Sequence, residues 1–145
     1  MTEQMIIQLA TSFAGSLAFA MIFGLRRRYL LAAGLGGFIS WAVYLAVHSF
    51  IDEVFIGCLA AASVAALFAD ILAHVYKAPA TLFLIPSLIP LIPGSSLYYT
   101  MSSLVRQDAA GARYYGIDTI KWALAIAAGI SLVIAVRELR TKKDA

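Results

Sequence analysis

The stretch LIPSLIPLIPGSSLY, residues 84–98, places three prolines and a glycine inside a run of leucine and isoleucine. Each proline lacks the amide hydrogen that a helix needs and disfavours helical angles at the residue before it. Three prolines so close together therefore exclude a regular helix, and Gly94 tolerates backbone angles that other residues avoid. The flanking chain is apolar enough to lie inside a membrane, where irregular backbone is tolerated only when protein or a wet cavity shelters it. The stretch predicts a discontinuous helix at membrane depth.

The composition of the whole chain indicates a membrane protein. The 145 residues are 62% hydrophobic and 13% charged, with a mean hydropathy of +0.87. A soluble domain carries about 25% charged residues, so this surface would not keep a folded chain in water. The composition argues against a soluble enzyme. The length suits one compact bundle, and we expect residues 1–145 to form a single transmembrane domain.

Five apolar runs have about the 20 residues that a helix needs to cross a bilayer. They are continuously apolar rather than alternating, so helices are favoured over strands. The predicted fold class is an all-α membrane protein, a bundle of about five transmembrane helices with a proline-broken fourth helix. The predicted spans are residues 5–25, 29–47, 54–76, 81–105 and 119–136, with residues 106–118 as a connection.

Basic residues cluster after the first span, at Arg26–Arg28, and in the C-terminal tail, residues 137–143. Such clusters also occur in nucleic-acid-binding proteins, but both of these flank apolar spans, which favours membrane topology over nucleic-acid binding. Five spans place these clusters on one side and the loop with Asp52 and Glu53 on the other. The positive-inside rule then predicts a multi-pass protein of the cell membrane, with the N-terminus outside and the C-terminus in the cytoplasm.

The chain after the break offers groups that bind a carboxylate. Ser95 and Ser96 lie at the expected start of a new helix, where they can cap it and where free amides and the helix dipole suit an anion. Tyr98 and Tyr99 follow one turn later and can add hydroxyl donors. An ordinary Pro–Gly turn at the membrane surface is the alternative. The predicted solute-binding residues are Pro90, Pro93, Gly94, Ser95, Ser96 and Tyr98.

A second candidate site lies inside the third span. An ionised carboxylate in hydrocarbon costs about 3 kcal/mol or more, so Asp70 is expected to face the bundle interior. His74 follows at i+4 on the same helix face, and the two can relay a proton that drives export. The alternative is a structural role, in which Asp70 lies near the interface and pairs with Lys77 or His74.

Other chemistry finds no support in the sequence. The two histidines are far apart and do not make a metal site. There is no phosphate loop, serine elbow or dinucleotide fingerprint. The sequence predicts no metal, no cofactor and no catalytic residues.

The motif PLIPGSSLY, from Pro90 to Tyr98, resembles the threonine/serine exporter family. The family pattern Pro-x-x-Pro-Gly-x-x-x-Tyr falls on Pro90, Pro93, Gly94 and Tyr98, and the chain is similar to the family's small membrane subunit or C-terminal half. The resemblance implies proton-driven export of a small amino acid or a related small carboxylate. It also implies a partner, the larger multi-span half of the exporter, as a separate chain.

A scaffold role is the competing interpretation. Small residues recur every four positions, which lets helices pack closely and permits either docking of a larger partner or homo-oligomers. A scaffold subunit would bind its partner without carrying a solute. The two repeats are Ala10, Ala14 and Ala18 in the first span and Gly57, Ala61, Ala65 and Ala69 in the third.

Overall fold

The structure, a computed structural model, describes the backbone of residues 2–143 and the side chains of residues 3–139. All regular elements in this part of the chain are helical, as the sequence predicts. The basic side chains of Arg140, Lys142 and Lys143 lie outside the described side chains. The elements are α1 (Thr2–Ile22), α2 (Arg27–Phe50), α3 (Val54–Tyr76), α4 (Thr81–Leu88), a 3₁₀ turn (Ile89–Leu91), α5 (Gly94–Val105) and α6 (Ala109–Lys143).

The membrane bundle of the described chain contains four helices, α1, α2, α3 and α6, that are long and apolar enough to cross a bilayer. Together, α4 with its 3₁₀ turn and α5 are also long and apolar enough for a fifth, broken span, and the two pieces meet at an angle of 58°. The all-α fold and the broken fourth helix are therefore confirmed.

The last helix begins earlier than the sequence predicts. Residues 106–118 were expected to connect two spans, but only a tight turn at Gln107, with φ of 59°, separates α5 from α6. The Asp108 carboxylate accepts a hydrogen bond from the Gly111 amide at 3.1 Å and so caps α6. The predicted long connection is wrong, because a capping aspartate and the alanines that follow it start a helix there.

The bundle is organised around α3, which packs against α2, α4 and α6. Its small-residue face is buried as predicted, because Gly57, Ala61, Ala65 and Ala69 all lie in the interior. Side chains of this size let the neighbouring helix backbones approach closely.

The small-residue repeat of α1 lies mostly on the outside of the bundle, with Ala18 half-buried, so packing of another chain against it stays a prediction. Ala10 and Ala14 are exposed, whereas Ser12, Ser16 and Ala20 are buried. Serine is as suitable as alanine here, because it is small and Ser12 donates its hydroxyl proton to the carbonyl of Leu9 at 2.8 Å.

Two core clusters mark the two ends of the bundle. One contains Tyr29, Ala69 and Phe83 near the Arg26–Arg28 end, and the other contains Tyr44, Cys58, Ala125 and their neighbours near the Asp52 end. We call these the basic end and the acidic end. The outer surface carries many exposed large apolar side chains, as expected for a helix bundle in lipid.

Candidate functional site

The break in the fourth span is sheltered by α2. Ser87, in the last turn of α4, is fully buried, and its carbonyl accepts a hydrogen bond from the Ser40 hydroxyl of α2 at 2.7 Å. A Cβ atom at Gly36 would collide with the Ser87 side chain, so this approach requires glycine. Irregular backbone is tolerated at membrane depth when protein covers it, and here α2 does so.

A partly open cavity of about 500 Å³ borders the break at the acidic end. It collects five of the six predicted solute-binding residues together with side chains from α2, α3 and α6. The structure therefore brings the predicted groups to one place. The lining residues are Trp41, Val54, Pro90, Ile92, Pro93, Gly94, Ser95, Ser96, Asp118 and Trp122.

The N-terminus of α5 lies at this cavity without a side-chain cap. Pro93 occupies the capping position, so the prediction that Ser95 or Ser96 caps the helix is wrong. The amides of Gly94 and Leu97 donate to the carbonyls of Ile92 and Pro93. The first-turn amides of Ser95 and Ser96 then remain available to an anionic group, which the positive end of the helix dipole favours.

Two residues of the motif have roles other than those expected. Gly94 has no positive φ, and a Cβ atom added to it would have nothing within 4 Å. Its contribution is open space next to the cavity rather than an unusual backbone angle. Tyr98 is absent from the cavity lining and is 68% exposed, with its ring edge-on to Tyr99. The structure thus separates Tyr98 from the other predicted site residues.

Asp118 joins the site from α6, although the sequence placed it in a connection. Its Oδ2 accepts a hydrogen bond from the Ser96 hydroxyl at 2.5 Å, which links α6 to the first turn of α5. Trp122 follows at i+4 and also lines the cavity. A helix extended back to Ala109 would have put these two residues on one face, and that spacing is the signal that could have revealed them.

A smaller cavity of about 200 Å³ lies on the α1 side of the break and shares Trp41 and Pro90 with the first. Gln8, Thr11 and Ser12 complete its lining. The Trp41 indole Nε1 is buried and finds no acceptor among the described residues. An unsatisfied buried donor is unfavourable by about 1–3 kcal/mol, and an N–H without exposed surface is not offered to a solute in either cavity.

The second candidate site lies at the basic end. Asp70 Oδ1 is 2.7 Å from the Arg137 guanidinium of α6, a partner that the sequence analysis missed. His74 Nδ1 lies 2.8 Å from the Asp70 carbonyl oxygen and 3.9 Å from Asp70 Oδ1. A cavity of about 280 Å³ adjoins His74 and Arg137 at the turn between α3 and α4.

The two candidate sites are therefore separate, one near each end of the bundle. Asp70 pairs α3 with α6, whereas the break and Asp118 pair α5 with α6. Within residues 3–139, no group of three or more His, Cys, Asp or Glu side chains is placed to hold a metal ion.

These features define a multi-pass helical membrane protein with a polar cavity at a discontinuous span. The family model described as "Threonine/Serine exporter, ThrE" matches residues 8–136, so the chain belongs to the threonine/serine exporter family. No curated protein and no solved structure matches the chain.

Proposed function

We propose that this chain is a subunit of a secondary-active exporter that moves small amino acids, such as threonine or serine, or related small carboxylates. The observation that carries this proposal is the cavity at the broken fourth span, lined by the uncapped first turn of α5. Discontinuous helices whose exposed ends bind an anionic substrate group are the usual solute sites of secondary transporters.

The chemistry of the cavity suits such a solute. Its volume of about 500 Å³ is ample for a small amino acid. The Ser95 and Ser96 amides bind a carboxylate at the positive end of α5. Pro90 and Pro93 hold the backbone open, so these donors are present before the solute arrives.

The proposed complex includes a second chain, the larger multi-span half of the exporter. Large apolar side chains are exposed on α5 and α6, including Leu97, Met101 and Leu104. A partner helix or lipid covers such a surface equally well on chemical grounds, and membership of the family favours the partner. Homo-oligomers through the same surface are part of this proposal.

Proton coupling is the finer part of the proposal and is assigned to Asp70 and His74. Protonation of Asp70 removes the charge that pairs with Arg137 and so weakens the contact between α3 and α6. An ionisable pair between two membrane helices is a common way to couple a proton to a change in their packing.

Filling the cavity tests the transport proposal. The chain and its larger partner are reconstituted in vesicles, and efflux of labelled threonine is measured with and without Gly94→Leu. Because the leucine enters open space beside the solute site, we expect efflux to fall about tenfold while the fold is retained.

Gly15→Leu in α1 is the matched control, since a Cβ atom there also has nothing within 4 Å. We expect the control to transport like the unmodified chain and both variants to bind the partner. Full threonine efflux by Gly94→Leu, or no efflux by the unmodified complex, would refute the transport proposal and favour a scaffold role.

We also propose that the N-terminus is outside and the C-terminus is in the cytoplasm of the cell membrane. A C-terminal fusion to alkaline phosphatase, which is active only outside the cytoplasm, is therefore expected to be inactive, and a C-terminal green fluorescent protein to be fluorescent. A phosphatase fused after Asp52, in the acidic loop, serves as the positive control. The opposite activities at the two fusion points would reverse the proposed topology.

A further inference from the structure

A single carboxylate faces the cavity at the break. Among the described lining residues, Asp118 is the one with a formal charge, and it is half-buried. No ion pair to Asp118 is found within the part of the chain that the structure describes. Lys121, one turn further along α6, is exposed and forms no ion pair with it. A half-buried carboxylate without a cation favours binding of a positively charged group.

Two indole rings border the same cavity. Trp41 and Trp122 both line it, and the Tyr44 ring lies between them with centroid distances of 4.9 and 5.1 Å. The three aromatic rings hold one another in place. Indole faces attract ammonium groups more strongly than other aromatic side chains do. Two indole rings at the cavity wall are compatible with the preference that the Asp118 charge creates.

A negative group and a positive helix end lie next to each other in the cavity. The Ser96 hydroxyl donates to Asp118 Oδ2 at 2.5 Å, so the carboxylate adjoins the first turn of α5, whose dipole end is positive. An α-amino acid carries its carboxylate and its ammonium on one carbon atom. It can place the carboxylate at the α5 amides and the ammonium at Asp118 and the indoles at the same time.

We infer that Asp118 is the ammonium-binding residue of this cavity, so that the site selects zwitterionic α-amino acids over carboxylates without an amino group. The inference rests on the proposed function and narrows its solute class. Asp70 is unsuited to this role, because its carboxylate is paired with Arg137 at 2.7 Å and lies at the basic end.

Tryptophan fluorescence gives a binding assay that does not depend on transport. Trp41 and Trp122 are the two tryptophans of the chain, and both line the cavity. The full chain in lipid nanodiscs is titrated with L-threonine and with 3-hydroxybutyrate, which is threonine without its amino group. We expect threonine to bind at least about tenfold more tightly, the value of one charge-assisted contact.

The key variant is Asp118→Asn, which keeps an oxygen that accepts the Ser96 hydrogen bond and removes the charge. We expect it to weaken threonine binding about tenfold while affinity for 3-hydroxybutyrate changes by less than about twofold. Asp118→Glu restores the charge and is expected to recover part of the preference for threonine. Glu53→Gln, which removes an exposed charge at the same end of the bundle, is expected to bind like the unmodified chain.

The outcomes separate this inference from the export proposal. Equal affinities for the two compounds, an unchanged preference in Asp118→Asn, or no response to threonine would overturn the role of Asp118. Threonine binding that requires Asp118, in a complex that carries no threonine across vesicles, would refute export and leave the ammonium site standing. Threonine efflux by the complex, together with an unchanged preference for threonine in Asp118→Asn, would refute the role of Asp118 and leave the export proposal standing.

Discussion

Gly129→Leu is expected to leave little folded protein, because this glycine is where α6 touches α3 backbone to backbone. A Cβ atom at Gly129 would lie 2.6 Å from the Leu59 carbonyl oxygen, 3.0 Å from Ala62 Cβ and 3.1 Å from the Ser63 amide nitrogen. Backbone atoms cannot rotate away as a side chain can, so the two helices would have to separate. Overpacking a core costs about 1–3 kcal/mol for small additions, and a leucine adds four carbon atoms here.

Such a loss is large against a total stability of about 5–15 kcal/mol. Gly129→Ala is the milder substitution. We expect it to lower the free energy of unfolding by about 1–2 kcal/mol net, after a gain of about 1 kcal/mol in helix propensity. The stability of both Gly129 variants is measured by thermal unfolding, with size-exclusion chromatography to detect the protein that stays folded. Gly15→Leu, where an added Cβ atom has nothing within 4 Å, is expected to elute as a single folded species. A Gly129→Leu protein that unfolds at the same temperature as the unmodified chain would show that α3 and α6 do not pack in this way.

Hydropathy was sufficient to predict the membrane helices because each span is a continuous apolar run. The third span was predicted at residues 54–76, and α3 has those bounds. The proline cluster likewise predicted the broken span, since three missing amide donors exclude a continuous helix whatever the neighbours are. These are local properties, and local properties can be read from one sequence.

The site residues contributed by other helices were less accessible to sequence reasoning. Asp118 stands beyond a polar segment that reads as a loop, yet the cap at Asp108 and the alanines after it start a helix there. Arg137 reads as the start of a basic tail, yet it meets Asp70 across 67 positions of chain. Pairings of this kind depend on how α6 is placed against α3 and α5, and hydropathy does not encode that.

Serine and glycine show the same limit on a smaller scale. Ser95 and Ser96 are good capping residues by type, but the capping position falls on Pro93, two residues before Ser95. Ser40 had no predicted role, although its hydroxyl satisfies the Ser87 carbonyl at the break. Gly36 is needed because Ser87 approaches it, and only the packing of α4 on α2 reveals this.

Asp70→Asn is expected to reduce gradient-driven threonine efflux to the level of empty vesicles while threonine exchange between the two sides continues. The variant resembles the protonated state permanently, so it lacks the ion pair that joins α3 to Arg137 of α6. Under the proposed proton coupling, net export requires the carrier to lose and regain the proton in each cycle, whereas exchange requires only that the loaded carrier changes sides. A purely structural role for the pair would lower both activities together.

Asp52→Asn is the matched control, because His48 and Asp52 form the other His–Asp contact with i,i+4 spacing, at 3.4 Å and with the Asp52 side chain 96% exposed. We expect this control to keep both efflux and exchange. The measurement compares labelled threonine leaving vesicles under an imposed pH difference with labelled threonine exchanged against unlabelled threonine at equal pH. If Asp70→Asn still exports along the pH difference, the proton is carried elsewhere; if it loses exchange as well, Asp70 and Arg137 hold the bundle together rather than couple it. Exchange without net export is the one result that places the proton at this pair of helices.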